Sequence, residues 1–316
     1  MKRWREALLL LMIAGVAAGF GTATPGFFDP VNLADRTRYW VETGLIAVPM
    51  TFIIAAGGID LSVGSLLALA GMTAGVLHTR AGWSVPAVII IALATGATGG
   101  LLNALAIQLL RLPALVVTLA TLALYRGVAY GLTGARPISD WPEEFTDWGS
   151  TGAWVLGAGW RIPWSFLVLL GWTAAGAVLF HRHTLGRQAR QLGENASAAR
   201  FVGISQSRVG LAIYGMSGLA CGLAAVLWTA RFATAHPGAA QGLELDVITV
   251  VVLGGTRITG GAGSVVGTFL GLVLLGLLRY GLDMHSVPQQ DQAVVVGLLL
   301  VVIAVLNEAW VSRAER

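Results

Sequence analysis

The sequence predicts an all-α fold, a polytopic transmembrane helix bundle of about ten spans. Three observations predict it. Only 11% of the 316 residues are charged and 56% are hydrophobic, whereas a soluble domain carries about 25% charged residues to cover its surface. Stretches free of Asp, Glu, Lys and Arg recur along the chain, most near the length of about 20 residues that a helix needs to cross a bilayer. Glycine, at 42 residues, falls inside those stretches with no G-X-Y period, which suits close helix packing in lipid rather than a collagen-like chain. A soluble enzyme, a nucleic-acid-binding domain and a disordered chain are excluded. The formal charge of +4 rests on 20 basic residues, all Arg except Lys2, so their placement says more than their sum.

The apolar runs are 7–28, 43–59, 61–79, 81–110, 112–133 (crossed by Arg126), 162–181, 209–230, 258–278 and 292–307. A shorter stretch, 247–256, reads with its flanks Leu243 to Thr259 as a short or broken helix, the eighth in chain order. The first run follows MKRWRE and ends near GTATPG. That form resembles a secretory signal peptide, but nine further apolar runs favour an uncleaved first span. With the N-terminus inside, twelve basic residues fall on the cytoplasmic side: Lys2, Arg3, Arg5, Arg111, Arg182, Arg187, Arg190, Arg200, Arg208, Arg257, Arg313 and Arg316. Six fall outside: Arg36, Arg38, Arg80, Arg136, Arg161 and Arg231. The bias obeys the positive-inside rule and places both ends in the cytoplasm. Residues 1–316 then form one transmembrane domain, with a main cytoplasmic excursion at 182–208 and a main external one at 134–161.

Glycines four apart, at Gly71/Gly75, Gly96/Gly100, Gly127/Gly131, Gly218/Gly222 and Gly263/Gly267/Gly271, make smooth strips about one helical turn in repeat. Packing within the subunit, a dimer contact or a substrate path would each use them. One segment recurs: GGIDLSVGS at 57–65 and GGAGSVVGT at 260–268 share the form GGxxxxVG[ST]. Each opens a span running outward, and paired Gly-interrupted segments mark the working region of many transporters.

The chain lacks the residues for several chemistries. A P-loop needs a Gly-Lys pair that reaches phosphate, and Lys2 has no glycine before it. Gly215-Met216-Ser217-Gly218 has the G-x-S-G form of an intramembrane serine protease, but His78, His181, His183, His236 and His285 all fall at span ends or in loops, away from where a base is needed. His181-x-His183 has no nearby acid or Cys to complete a metal site. No catalysis, metal or cofactor is expected. Cys221 is alone, so no disulfide forms within the chain, and it reads as a packing residue.

Charges near the spans are costly and usually paired or functional. Asp60 either carries protons or caps the helix opening at Leu61. Arg279 and Asp283, four apart, are placed to neutralise each other. In the cytoplasmic excursion, Glu194 to Val202 is Ala-rich and reads as a short surface helix after Gly193, either a solvated connector or a docking element. The external excursion carries Asp140, Glu143, Glu144 and Asp147 with Trp141, Trp148, Trp154 and Trp160, an aromatic belt or a docking surface.

The segments AAGGIDLSVGSLLALAGMTAGVL (55–77), LGENASAARFVGIS (192–205) and ELDVITVVVLGGTRITGGAGSVVGTFLG (244–271) resemble the membrane subunits of bacterial sugar-type ATP-binding-cassette importers, which include permeases for ribose, rhamnose and the autoinducer-2 signal. The similarity runs from about Thr43 to Asn307. It implies a multi-pass permease of the bacterial inner membrane that pairs with a second permease copy or paralogue, two cytoplasmic ATPase subunits and a periplasmic sugar-binding protein. ATP would be bound by the ATPases. By this resemblance Gly193, Glu194, Asn195, Ala198, Ala199, Gly203 and Ile204 form the ATPase-coupling segment. Gly57, Gly58, Asp60, Leu61, Ser62, Gly64 and Ser65 match the family signature, and Gly254, Gly255, Gly260, Gly261, Gly263 and Gly267 its second Gly-rich stretch. Glu194 departs from the family, which often has Gly there. The expected function is import of a neutral monosaccharide or small polyol. The alternative is an ion-coupled symporter using Asp60 with Arg126, Arg279 and Asp283.

Overall fold

A computed structural model describes residues 2–157, 160–299 and 301. The end of the last apolar run, with Arg313 and Arg316, lies outside the described residues, as does the side chain of Trp160. The helices are α1 (Lys2–Ala23), α2 (Pro30–Thr37), α3 (Val41–Ala55), α4 (Val63–Ala81), α5 (Val85–Leu110), α6 (Ala114–Gly131), α7 (Glu143–Ser150), α8 (Trp164–His181), α9 (Thr184–Glu194), α10 (Ala196–Phe201), α11 (Gln206–Phe232), α12 (Leu243–Leu253) and α13 (Val265–Met284). A further helix occupies 289–299. Six of these, α1, α5, α6, α8, α11 and α13, are long and apolar enough to cross a membrane.

Local sequence explains the boundaries. Asp29 caps α2 by accepting from the backbone N–H of Val31 and Asn32, with Pro30 in the first turn. Gly82 ends α4 in the left-handed conformation. Leu112-Pro113 separates α5 from α6. The helices α3 and α12 are short, 15 and 11 residues. At 1.5 Å per residue α12 reaches only about 16 Å. The apolar run 43–59 and the short stretch 247–256 with its flanks therefore do not remain helical throughout; each continues as glycine-rich irregular backbone before α4 and α13 begin. Such breaks survive at membrane depth only when protein encloses them.

Every residue of α3 is buried, so the other elements wrap around it. The glycine strips divide by role. Gly96 and Gly100 of α5 lock into Gly218 and Gly222 of α11, where a Cβ on Gly100 would lie 2.9 Å from the Gly218 backbone nitrogen. Gly71 and Gly75 face side chains, while Gly127 and Gly131 face nothing within 4 Å. The G-x-S-G segment is thus a helix-packing element. Cys221 is fully buried, as a packing residue should be.

The 134–161 excursion departs from all-α. After α7, strands β1 (Ala153–Gly157) and β2 (Trp160–Pro163) pair antiparallel. Buried Arg38 donates to the carbonyl of Gly149 at 3.0 Å and anchors this cap. Of its tryptophans, Trp141 stacks on His78 and meets Phe145, while Trp148 and Trp154 are exposed.

The expected Arg279–Asp283 pair does not form. Arg279 makes a bidentate pair with Asp246 of α12, at 2.6 and 2.8 Å, and Asp283 pairs with Arg36 at 3.1 Å. Partners across helices provide two planar bonds that an i,i+4 neighbour does not. A further ion pair, Arg231–Glu42 at 3.0 Å, is almost fully buried.

Candidate coupling site

The first glycine break follows α3. Gly57 takes φ +83°, a left-handed conformation that favours glycine. The Asp60 carboxylate then accepts from the Ser62 backbone N–H at 3.0 Å and from the Ser62 hydroxyl at 2.7 Å, and Ser217 of α11 approaches its other oxygen at 3.4 Å. The helix opens at Val63, not Leu61, with Ser62 in the N-cap position. Asp60 therefore closes the turn that precedes the helix rather than capping the helix itself.

A directed chain of hydrogen bonds converges on this carboxylate. The Tyr125 hydroxyl approaches Asn103 Oδ1 at 3.0 Å, Asn103 Nδ2 donates to Ser62 Oγ at 2.8 Å, and Ser62 Oγ donates to Asp60. Asp60, Ser62 and Asn103 are at most 1% exposed. The network ties the break to α5, α6 and α11, and no cationic side chain bonds Asp60 among the described residues.

The second break repeats the device. Gly255, Gly260 and Gly261 take φ of +86°, +90° and +80°. Ser264 caps α13 by accepting from the Gly267 N–H at 3.1 Å. Thr268 donates back to the Ser264 carbonyl at 3.0 Å, as Ser65 does to that of Ser62 at 2.8 Å. A Cβ on Gly254 would lie 2.6 Å from the Gly267 carbonyl carbon, so the helix ends flanking the break touch backbone to backbone.

The structure brings these two breaks and the 193–204 segment together. The Gly261 N–H donates to the Ala55 carbonyl at 2.9 Å. A Cβ on Gly193 would collide with that same carbonyl and lie 2.6 Å from the Gly261 nitrogen. One on Gly260 would lie 2.9 Å from Gly193 Cα and 3.1 Å from Gly57 N. Three segments remote in sequence thus meet through glycine backbones, with no room for a side chain at Gly193 or Gly260.

The 182–208 excursion holds two helices. In α9, Leu185, Ala189 and Leu192 turn inward, a spacing of four and three that the reading by apolar runs passes over. Its arginines are partly structural. Arg190 donates to the Phe180 carbonyl at 3.3 Å and stacks over that ring at 4.9 Å, closing the C-terminal end of α8. Burial, with Arg187 nearby, lowers the Arg190 pKa from its ordinary value. The second helix, α10, starts two residues later than expected because Asn195 is its cap, accepting from Ser197 and Ala198 N–H at 3.0 Å each.

The sequence-chosen residues split into two faces. Ala199 and Ile204 are buried and Gly193 packs inward, whereas Glu194, Asn195, Ala198 and Gly203 are exposed. Beside them, Phe201 is 92% and Val202 73% exposed, though neither is among the coupling residues that the resemblance implies. Two adjacent apolar side chains at the end of a surface helix were the available signal.

Residues 32–304 match the family described as branched-chain amino acid transport system / permease component. The autoinducer 2 import system permease protein LsrD of Klebsiella pneumoniae subsp. pneumoniae is 34% identical over 99% of this chain and 95% of its own length. The same-named proteins of Escherichia coli K12 and Salmonella paratyphi A are 35% and 36% identical, each over 99% of this chain and 94% and 93% of their own lengths. No solved structure matches. The chain therefore belongs to the family of transport-system permease components, as a permease of the sugar-type ATP-binding-cassette importers.

Proposed function

We propose that this chain carries a neutral monosaccharide or related small polyol into the cytoplasm, driven by separate ATPase subunits. The observation that carries the reading is the glycine junction of Gly57, Gly193 and Gly260/Gly261. A surface segment wedged directly against two helix breaks can pass a push into the bundle, because nothing compressible lies between them. The relatives' name points to autoinducer 2 as the first cargo to test.

In this reading the chain is a single ten-span domain of a bacterial inner membrane, with both termini cytoplasmic. It pairs with a second permease copy or paralogue, and a periplasmic binding protein supplies most of the cargo selectivity. Phe201 and Val202, with Glu194, Asn195, Ala198 and Gly203, face the ATPase. Closure of the ATPase pair on ATP moves α9–α10, and the two breaks shift the bundle between outward-open and inward-open states. The chain has no catalysis of its own. The symporter alternative loses ground because no hydrogen bond or ion pair among the described residues joins Asp60 to Arg126, Arg279 or Asp283: Arg126 donates to the carbonyls of Pro237 and Ala239, at 2.7 and 2.8 Å, Arg279 pairs with Asp246 and Asp283 with Arg36.

Uptake by reconstituted protein decides the matter. Uptake that needs ATP, the ATPase and the binding protein is expected. Uptake driven by a proton gradient without them would overturn the importer reading.

A further inference from the structure

At the end of the bundle opposite the glycine junction, a cavity of about 480 Å³ opens between α3, α11, α12, α13 and the helix at 289–299. Its volume lies within the range of small-molecule sites. Three arginines and three carboxylates line it, Arg36, Arg231 and Arg279 with Asp283, Glu42 and Asp246, and each arginine is paired with one carboxylate. The lining is therefore rich in charge and neutral in sum. Gln241, Gln289 and Gln292 add amide donors and acceptors, and Tyr39, Trp228 and Tyr280 add aromatic surface.

Donors remain over. Arg231 Nη1, Arg279 Nε and the Tyr280 hydroxyl are buried and have no hydrogen-bond partner among the described residues. They sit on residues that line the cavity, so hydrogen-bonding capacity is left over in its wall. Ala240, which takes φ +55°, also lines the cavity. Its carbonyl sits against Gly64 in the first turn of α4, just past the first glycine break, where any Cβ would strike it. Arg126 holds the adjacent carbonyls of Pro237 and Ala239. The cavity thus adjoins the helix just past the break whose other end touches Gly193.

We propose that this cavity is a low-affinity binding subsite for a neutral polyhydroxylated solute, within the permease itself. A neutral lining of planar polar groups matches hydroxyls that both donate and accept. It offers an anion or cation no net attraction. Occupancy would be sensed at Ala240 and passed to Gly64. This rests on the importer reading.

The test is saturation-transfer difference NMR and titration on the full-length chain in nanodiscs, with autoinducer 2, D-ribose, L-rhamnose and, as an anionic probe, ribose 5-phosphate. Saturable millimolar binding of at least one neutral probe is expected. The Arg279→Gln/Asp246→Asn double variant should weaken it at least about tenfold, or 1.4 kcal/mol, with Val155→Ser on the exposed hairpin as the unaffected control. If the double variant fails to fold, Gln241→Ala should weaken binding several-fold. No saturable binding of any neutral probe, binding unchanged in these variants, or tighter binding of ribose 5-phosphate would each overturn the proposal. ATP-driven uptake by the full complex, without such binding, would sink the subsite and leave the importer standing. Gradient-driven uptake without the ATPase would sink the importer reading, whatever the binding result.

Discussion

Asp60 separates the two transport readings because its bonds are all to uncharged donors. An amide in its place still accepts from Ser62 through one atom and offers Ser217 a donor through the other. Asp60→Asn should therefore fold and retain most ATP-driven uptake, measured in proteoliposomes. A proton-carrying Asp60 would lose uptake in the same variant. Asp60→Leu leaves the Ser62 and Ser217 groups buried without an acceptor, at about 1–3 kcal/mol for each donor, and should lower the melting temperature of the purified chain. The glycines give a second contrast. Gly193→Ala pushes a methyl group into the Ala55 carbonyl and the Gly261 nitrogen, which are backbone and cannot rotate away. It should cost about 1–3 kcal/mol and abolish uptake. Gly127→Ala meets open space and should be neutral or stabilising by up to about 1 kcal/mol. Equal effects at the two positions, in thermal unfolding, would show that the junction is not a rigid contact.

The α9–α10 hairpin presents two faces, and substitution should separate them. Phe201→Ser with Val202→Ser changes only exposed surface and should reduce ATPase co-purification at least about tenfold, since buried apolar anchors carry most interface energy, without moving the melting temperature. Ala199→Glu places a charge at a buried position. It should instead destabilise α10 and uncouple through loss of shape. Asn195→Ala removes a cap worth about 1 kcal/mol, giving a partial defect. The hairpin also shows what the sequence makes legible. Helices α1, α5, α6, α8, α11 and α13 are readable because lipid imposes a length and excludes charge over that length. The two glycine breaks are readable because they repeat a pattern. The β1–β2 hairpin is not, since AWVLG and WRIP are too short to set a period of two. Ion-pair partners are not legible either. Arg279 has an acid four residues on and still chooses Asp246 from α12, because tertiary approach, not chain distance, decides which pair can be bidentate. Phe201 and Val202 are visible as letters, but their exposure depends on which side of α10 meets the bundle.

Chain orientation follows from the arginines, and it can be tested without transport. Arg182, Arg187, Arg190, Arg200 and Arg208 cluster in or beside α9–α10, at one end of the bundle, while Arg36, Arg38 and Arg231 lie at the other. By the positive-inside rule the α9–α10 end is expected to face the cytoplasm. Helix α8 alone separates the α7–β2 cap from that hairpin along the chain, so two positions flanking it must lie on opposite sides if α8 spans. In a Cys221→Ala background, Glu144→Cys and Ser197→Cys place single thiols at exposed positions on the two sides. A membrane-impermeant maleimide should label the first in intact cells and the second only after permeabilisation. The inverse pattern would reverse the orientation. Labelling of both in intact cells would mean that α8 does not cross. Fluorescent-protein fusions at each terminus complete the count: both should fluoresce, as cytoplasmic ends require. A dark C-terminal fusion would make the number of spans odd, and α12, about 16 Å long and followed by a glycine break, would be the first helix to lose its standing as a full crossing.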